Sequence, residues 1–200
     1  SPKRFEDILV RIMNCNTGRN DPSMEDWAKI AGFSDTDIAE VKADASGNTS
    51  KGPMANGIML HRDQSGNLFL SGDFGSTAGR WMLNNLAATD YADGNPHSFS
   101  RPLVEQASVT TRNVAAYYYP NAQKGAYINN PRLGLLYTWD AATGGKGGSD
   151  GNKTINDSEE LNQNPDRVQG ICPNGWHLPS DWEWTELELE VNENTHKYSS

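Results

Sequence analysis

Ile171-Cys-Pro-Asn-Gly-Trp-His-Leu-Pro-Ser180, continued by Asp181-Trp-Glu-Trp-Thr-Glu-Leu-Glu-Leu-Glu-Val191, is the stretch that leaves the backbone least choice. Pro173-Asn174-Gly175 joins a fixed φ to a residue free to take φ > 0, which predicts a tight turn. Trp176 to Leu178 follow, and Pro179 biases Leu178 toward an extended conformation. Ser180 is a good N-cap and Glu183, three residues on, completes a capping box. Asp181 and Glu183 also place negative charge where the helix dipole favours it. The spacing then predicts a helix with Trp184, Leu187 and Val191 facing the core. Trp182 and Leu189 fall nearly opposite that stripe. This second apolar face is expected to be an interface, covered by the N-terminal helices, by further chain or by another protein, with Glu186 and Glu190 solvated at its rim.

Upstream, short apolar runs alternate with turns. Ile58-Met59-Leu60 and Leu68-Phe69-Leu70, separated by Asp63-Gln64-Ser65-Gly66, read as a hairpin. Trp81, Met82 and Leu86 are expected to look inward, and Asn85 to brace a loop through its amide. Ala115–Tyr119 and Leu135–Trp139 read as two strands, with Asn129-Asn130-Pro131 turning the chain between them. Tyr117, Tyr119, Tyr137 and Trp139 would then align by period two as a core stripe. Residues 1–44 read as a helical lead-in. Phe5, Ile8, Leu9, Ile12 and Met13 mark a first helix ending near Asn14. Ser23 with Asp26 caps a second carrying Trp27 and Ile30, and Ser34 with Asp37 caps a third carrying Ile38 and Val41. Residues 45–56 read as a linker, and Thr143–Gln169 as a long exposed polar loop.

Several of these blocks, in this order, resemble the Fibrobacter succinogenes major paralogous domain, a family of bacterial surface modules. Cys172 to Leu187 looks like its CPxGWHxPSxxEWxxL signature, through Cys172, Gly175, Trp176, Pro179, Ser180, Glu183 and Trp184. Gly79–Leu86 looks like its WMxxNL motif, through Trp81 and Asn85, and Tyr91–Gly94 like its YxDG turn. Ala116–Pro120 and Gly134–Ala142 look like its AYYY and GxLYxWxAA blocks, the latter through Tyr137 and Trp139. Asp63–Asn67 is similar to the turn of the family's opening strand pair, so the resemblance covers roughly residues 57 to 191. The HLPSxxEW segment is in turn similar to the RLPTxxEW segment of formylglycine-generating enzymes. By analogy this implies a C-type-lectin-like α+β fold over residues 57–200, with short strands and long loops. In the family the EW helix precedes a second half, so the resemblance implies a domain incomplete at its C-terminus, with strands missing from the sheet of residues 115–139.

The chain's 200 residues suit one domain, or one domain with an appendage, and six Trp and seven Tyr carry much of its apolar area. A formal charge of −9 excludes nucleic acid as a natural partner, since phosphate backbones reward clustered Lys and Arg. No apolar run reaches the length of about 18 residues that spans a bilayer. A lipid anchor would have to lie outside the given residues. No phosphate loop, dinucleotide fingerprint or HExxH helix is present, and His61, His97, His177 and His196 have no metal-ligand spacing. His177 is expected to be a hydrogen-bonded structural residue. The cysteine arrangement of the formylglycine-generating enzymes is lacking, so no catalytic residue is expected. Cys15 and Cys172 either pair, in an exported protein, or are two small buried thiols. No cofactor is expected; Ca²⁺ is the one worth weighing, on oxygen-rich Asp90, Asp93 and Asn95 or on Asp150, Asn152, Asn156, Asp157 and Glu159. The expectation is a non-catalytic protein of the bacterial outer-membrane or extracellular surface. It would adhere to, or recognise, glycans or other surface proteins. The alternatives are a purely structural subunit of an outer-membrane or fimbrial complex, and a phage or pilus tip recognition protein.

Overall fold

A computed structural model describes residues 22–94, 102–106, 114–145 and 167–198. The first expected helix, Cys15, Asn95 and the oxygen-rich run 150–159 lie outside these residues, so the Cys15–Cys172 pairing and the acidic-loop cation site do too. Chain order is α1 Met24–Ala31, α2 Asp35–Ala43, β1 Met59–Arg62, β2 Leu68–Asp73, α3 Gly75–Ala78 and β3 Arg80–Met82. It continues with β4 Val104–Glu105, β5 Ala116–Tyr118, α4 Lys124–Asn129, β6 Leu136–Tyr137, α5 Trp139–Thr143, α6 Asp181–Glu193 and α7 Thr195–Tyr198. Helices and two small sheets make this an α+β structure.

The caps read from the sequence explain where the helices start. Ser23 Oγ accepts from the Asp26 amide, and Ser34 with Asp37 and Ser180 with Glu183 form full capping boxes. Gly32, in the left-handed region, ends α1. The first sheet is the antiparallel meander β1-β2-β3, with Leu60 opposite Leu70 and Gly72 opposite Trp81. Its turn is tied by Asp63, whose carboxylate accepts from the Ser65 and Asn67 amides, each at 2.9 Å. Trp27, Ala31, Ile38 and Val41 of the two helices share one buried core with Ile58, Leu60, Leu68 and Leu70. The helices thus pack directly on the hairpin. Leu187, Val191 and Tyr198, from the far end of the chain, close the same core.

The second sheet, β4-β5-β6, pairs β4 with β5 in parallel and β5 with β6 antiparallel, placing Tyr117 opposite Tyr137. Its core gathers Tyr91, Leu103, Tyr117, Leu135, Ala141 and Ile171. Tyr91 is fully buried and donates from its hydroxyl to the Ala141 carbonyl at 3.0 Å, while Tyr137 donates to that of Ala88 at 2.7 Å. The YxDG, GxLYxWxAA and signature blocks therefore hold one another.

Three expectations are corrected. The strand expected to run to Trp139 ends at Tyr137, because the Thr138 side chain accepts from the Ala141 amide and starts α5. Trp139 becomes the first helical residue, turns away from the tyrosine stripe and is 44% exposed. Trp184, expected in the core beside Leu187 and Val191, is 48% exposed. The start of α6 lies over β3, the edge of the first sheet, so Trp184 leans on Trp81 with ring centroids 4.8 Å apart instead of entering the interior. The segment expected only to turn at residues 129–131 also folds into α4 before it turns.

Candidate functional site

The organising stretch forms as its residues dictate. Gly175 takes φ 82°, and the Trp176 amide donates to the Pro173 carbonyl at 3.0 Å. Trp176 is thereby presented edge-on to His61 and Phe69, both centroids 5.4 Å away, with those two rings stacked at 4.8 Å. Gln64 adds a second tie, donating to the Asp90 carbonyl at 2.8 Å and the Ile171 carbonyl at 2.9 Å. Cys172 is buried beside this turn, and burial pushes its thiol up to about 12.

The titratable groups near these ties are hydrogen-bonded or ion-paired within the fold. His177 Nε2 lies 2.8 Å from Glu183 Oε1, and Glu183 also accepts the Ser180 amide and pairs with Arg167. Burial works against ionised Glu183, but the Ser180 amide, His177 and Arg167 together hold its carboxyl below the usual range. His61 Nε2 stands 2.7 Å from Ser71 Oγ, a spacing also found between nucleophile and base. Ser71, however, is fully buried, and Arg80 donates to its hydroxyl at 3.2 Å, so no substrate reaches that oxygen. Among the described residues no group of three or more His, Cys, Asp or Glu could hold a metal ion. No helix among them is long and apolar enough to cross a membrane.

Among the described residues, a cleft of about 520 Å³ between α1, the hairpin and the segment around α4 has room for a ligand. Met24 and Glu25 form one wall, with Lys42 ion-paired to Glu25 at the rim. Asp63, Asn67 and Phe69 line the floor, and Tyr127 and Asn129 the opposite wall. The floor is pre-set: Asn67 donates from its side chain to Asp63 Oδ2 at 3.0 Å and the Ala87 carbonyl at 2.9 Å. Burial raises the Asp63 carboxyl, with the Asn67 and Ser65 donors opposing it. Asn84, at the cleft edge, accepts the Leu70 amide at 3.0 Å. Asn85 is exposed and donates to the Leu133 carbonyl at 3.1 Å, bracing the α4–β6 connection beside the cleft.

Of the residues singled out by sequence, Trp81 and Trp184 meet, as do Ser180 and Glu183, while Asn85 and Tyr137 reach the same Leu86–Leu133 region from two sides. Trp139, Trp182 and Leu189 join none of these groups. Tyr127 and the α1 wall carry no motif, and only the fold brings them to the hairpin.

An α+β module with a polar, aromatic-walled cleft is thus the class defined by fold and site. The model of the Fibrobacter succinogenes major domain matches residues 77–200, and the chain belongs to that family. The match begins at Thr77, so the hairpin, whose turn resembled the family's opening strand pair, precedes it. No curated protein and no solved structure matches the chain.

Proposed function

We propose that the chain is a non-catalytic recognition module of the bacterial cell surface that binds a glycan in the cleft between α1, the hairpin and α4. The cleft is the observation that carries this reading. Its volume falls within the range of about 300–1,000 Å³ typical of small-ligand sites. A ring such as Tyr127 offers an apolar face to a sugar, and the exposed Asn129 amide beside it suits hydroxyl groups, which both donate and accept. The domain is read as C-type-lectin-like on the strength of its HLPSxxEW segment, and as surface-associated on the strength of its family. No cofactor is part of the reading. The test is a glycan array with the chain and a Tyr127→Ala variant, followed by calorimetry on any sugar retained. Binding that Tyr127→Ala weakens by about tenfold or more supports the site. An array blank for the chain, or binding indifferent to the substitution, overturns it.

A structural subunit is the second reading, favoured by the second sheet. Val104 and Leu136 project from the face that carries Ala116 and Tyr118, and both are exposed. Native mass spectrometry of protein from its source separates the two, since a subunit arrives with its neighbours.

A further inference from the structure

The chain contains two Asn-Gly pairs, Asn56-Gly57 and Asn174-Gly175, and the fold holds them differently. An Asn followed by Gly is open to an internal reaction, because no Cβ on the next residue shields the backbone nitrogen that can attack the side-chain amide carbon. Asn56 is held against it. Its Nδ2 donates to the Ala31 carbonyl at 3.0 Å, and its Oδ1 accepts the Ile58 amide at 3.1 Å. The Gly57 nitrogen donates to the Met54 carbonyl at 2.8 Å, and the Gly57 carbonyl accepts from Arg80 at 3.1 Å. Both the carbon and the nitrogen that would react are therefore fixed.

Asn174 and Gly175 are exposed in the turn of the signature stretch. That turn is closed by the Trp176 amide on the Pro173 carbonyl, whereas the Gly175 nitrogen has no acceptor among the described residues. The Asn174 side chain accepts from Gln169 Nε2 at 3.0 Å and reaches the Asp93 carbonyl only at 3.5 Å. Among the described residues nothing lies within 4 Å of where a Gly175 Cβ would stand, so rotation about the Asn174 backbone can bring the two reacting atoms together. We propose that Asn174 is a site of spontaneous deamidation, with water as the co-reactant, and that its isoaspartate product loosens the seat of Trp176. The Gly175 nitrogen bonds to Asn174 Cγ as the Cγ–Nδ2 bond breaks, and its proton leaves with the side-chain nitrogen as ammonia. Water then opens the cyclic imide. Cleavage of the new N–Cγ bond leaves aspartate at position 174; cleavage of the original peptide C–N bond leaves isoaspartate, whose main chain runs through the side chain and is longer by a carbon. The turn that sets Trp176 edge-on to His61 and Phe69 is too tight to absorb that carbon without shifting the ring.

Peptide mapping by mass spectrometry, after the full chain has stood in warm, mildly alkaline buffer, tests this. Asn174 is expected to convert faster than Asn56 by about tenfold or more, a ratio that urea should abolish by releasing both pairs. The isoaspartate fraction, separated by chromatography, should exchange its amide hydrogens faster over residues 171–178. Residues 24–43 should exchange as before, which establishes that the rest of the fold persists. Asn174→Gln, whose extra methylene disfavours the ring, should stay unconverted and keep native exchange throughout. An Asn174 that stays intact in the folded chain while converting in urea overturns the proposal, and so does conversion of Asn56 at an equal rate. An isoaspartate fraction with native exchange over residues 171–178 overturns it as well.

Discussion

Burial of His61 sets an acid limit on the stability of the fold. Its imidazole is stacked on Phe69, meets Trp176 edge-on and hydrogen-bonds Ser71. Burial, helped by the nearby Arg80 guanidinium, pushes its pKa down to about 4 from an ordinary 6.5. Above the ordinary value neither the folded nor the unfolded chain holds the proton, and the stability associated with the neutral ring is fully present. As pH falls toward 4, the unfolded chain takes the proton and the folded one does not, so stability is lost. At about 1.4 kcal/mol per pH unit the loss grows to about 3 kcal/mol. That is a large share of the roughly 5–15 kcal/mol that holds an ordinary domain. Asp63 acts in the opposite sense, because burial raises its carboxyl and acidification relieves the penalty. Comparison with His61→Gln removes that contribution. In urea titrations from about pH 8 to about pH 4, the stability difference between native chain and variant should be constant above about pH 6.5. It should then fall by about 3 kcal/mol toward pH 4. Parallel curves over the whole range would refute the reasoning.

Gly170 sits at φ 54°, and a Cβ there would lie 1.8 Å from the Ala142 carbonyl oxygen, so Gly170→Ala should cost more than about 3 kcal/mol. Gly175→Ala, in open space at φ 82°, should cost only about 1–2 kcal/mol; equal losses in thermal melts would count against the close approach. Tyr91→Phe takes a hydroxyl donor from the buried Ala141 carbonyl and should lower unfolding free energy by about 1–3 kcal/mol. In a Cys15→Ser background, iodoacetamide at about pH 8 should alkylate Cys172 only after unfolding, given a buried thiol held up to about 12. Labelling of the folded chain at the rate of a free thiol would contradict that burial.

What could be read from the sequence was governed by short-range chemistry. The Ser23, Ser34 and Ser180 caps, the Pro173–Gly175 turn and the hairpin around Asp63 depend on residues within a few positions of one another, and the structure places them as read. Trp139 was misplaced because apolar alternation favoured a strand, while the Thr138 cap only three residues from Ala141 started a helix. Trp184 was misplaced because periodicity fixes which side chains share a face but not how far the helix overhangs its support. The cleft was illegible for a different reason. Met24, Asn67 and Tyr127 belong to three segments far apart in sequence, and nothing local records that they meet. The Tyr91–Ala141 hydrogen bond is of the same kind, although both ends lay in recognised blocks.

The first core is closed by residues that stand more than a hundred positions after those that open it. Trp27, Val41 and Leu60 are made early, yet Leu187, Val191 and Tyr198 complete their enclosure, with Tyr198 resting on Phe74 at 5.3 Å between centroids. The whole second sheet is strung between these two contributions like a bead within a closed loop. A chain emerging from the ribosome therefore carries the hydrophobic surface of Trp27, Val41 and Leu60 uncapped until nearly all of the residues up to Tyr198 have been made. Contacts so distant in sequence also slow folding, because the loop must be closed before they repay its entropy. Of the two cores, the one begun first along these residues is finished last, and its helices are the ones a chaperone would meet.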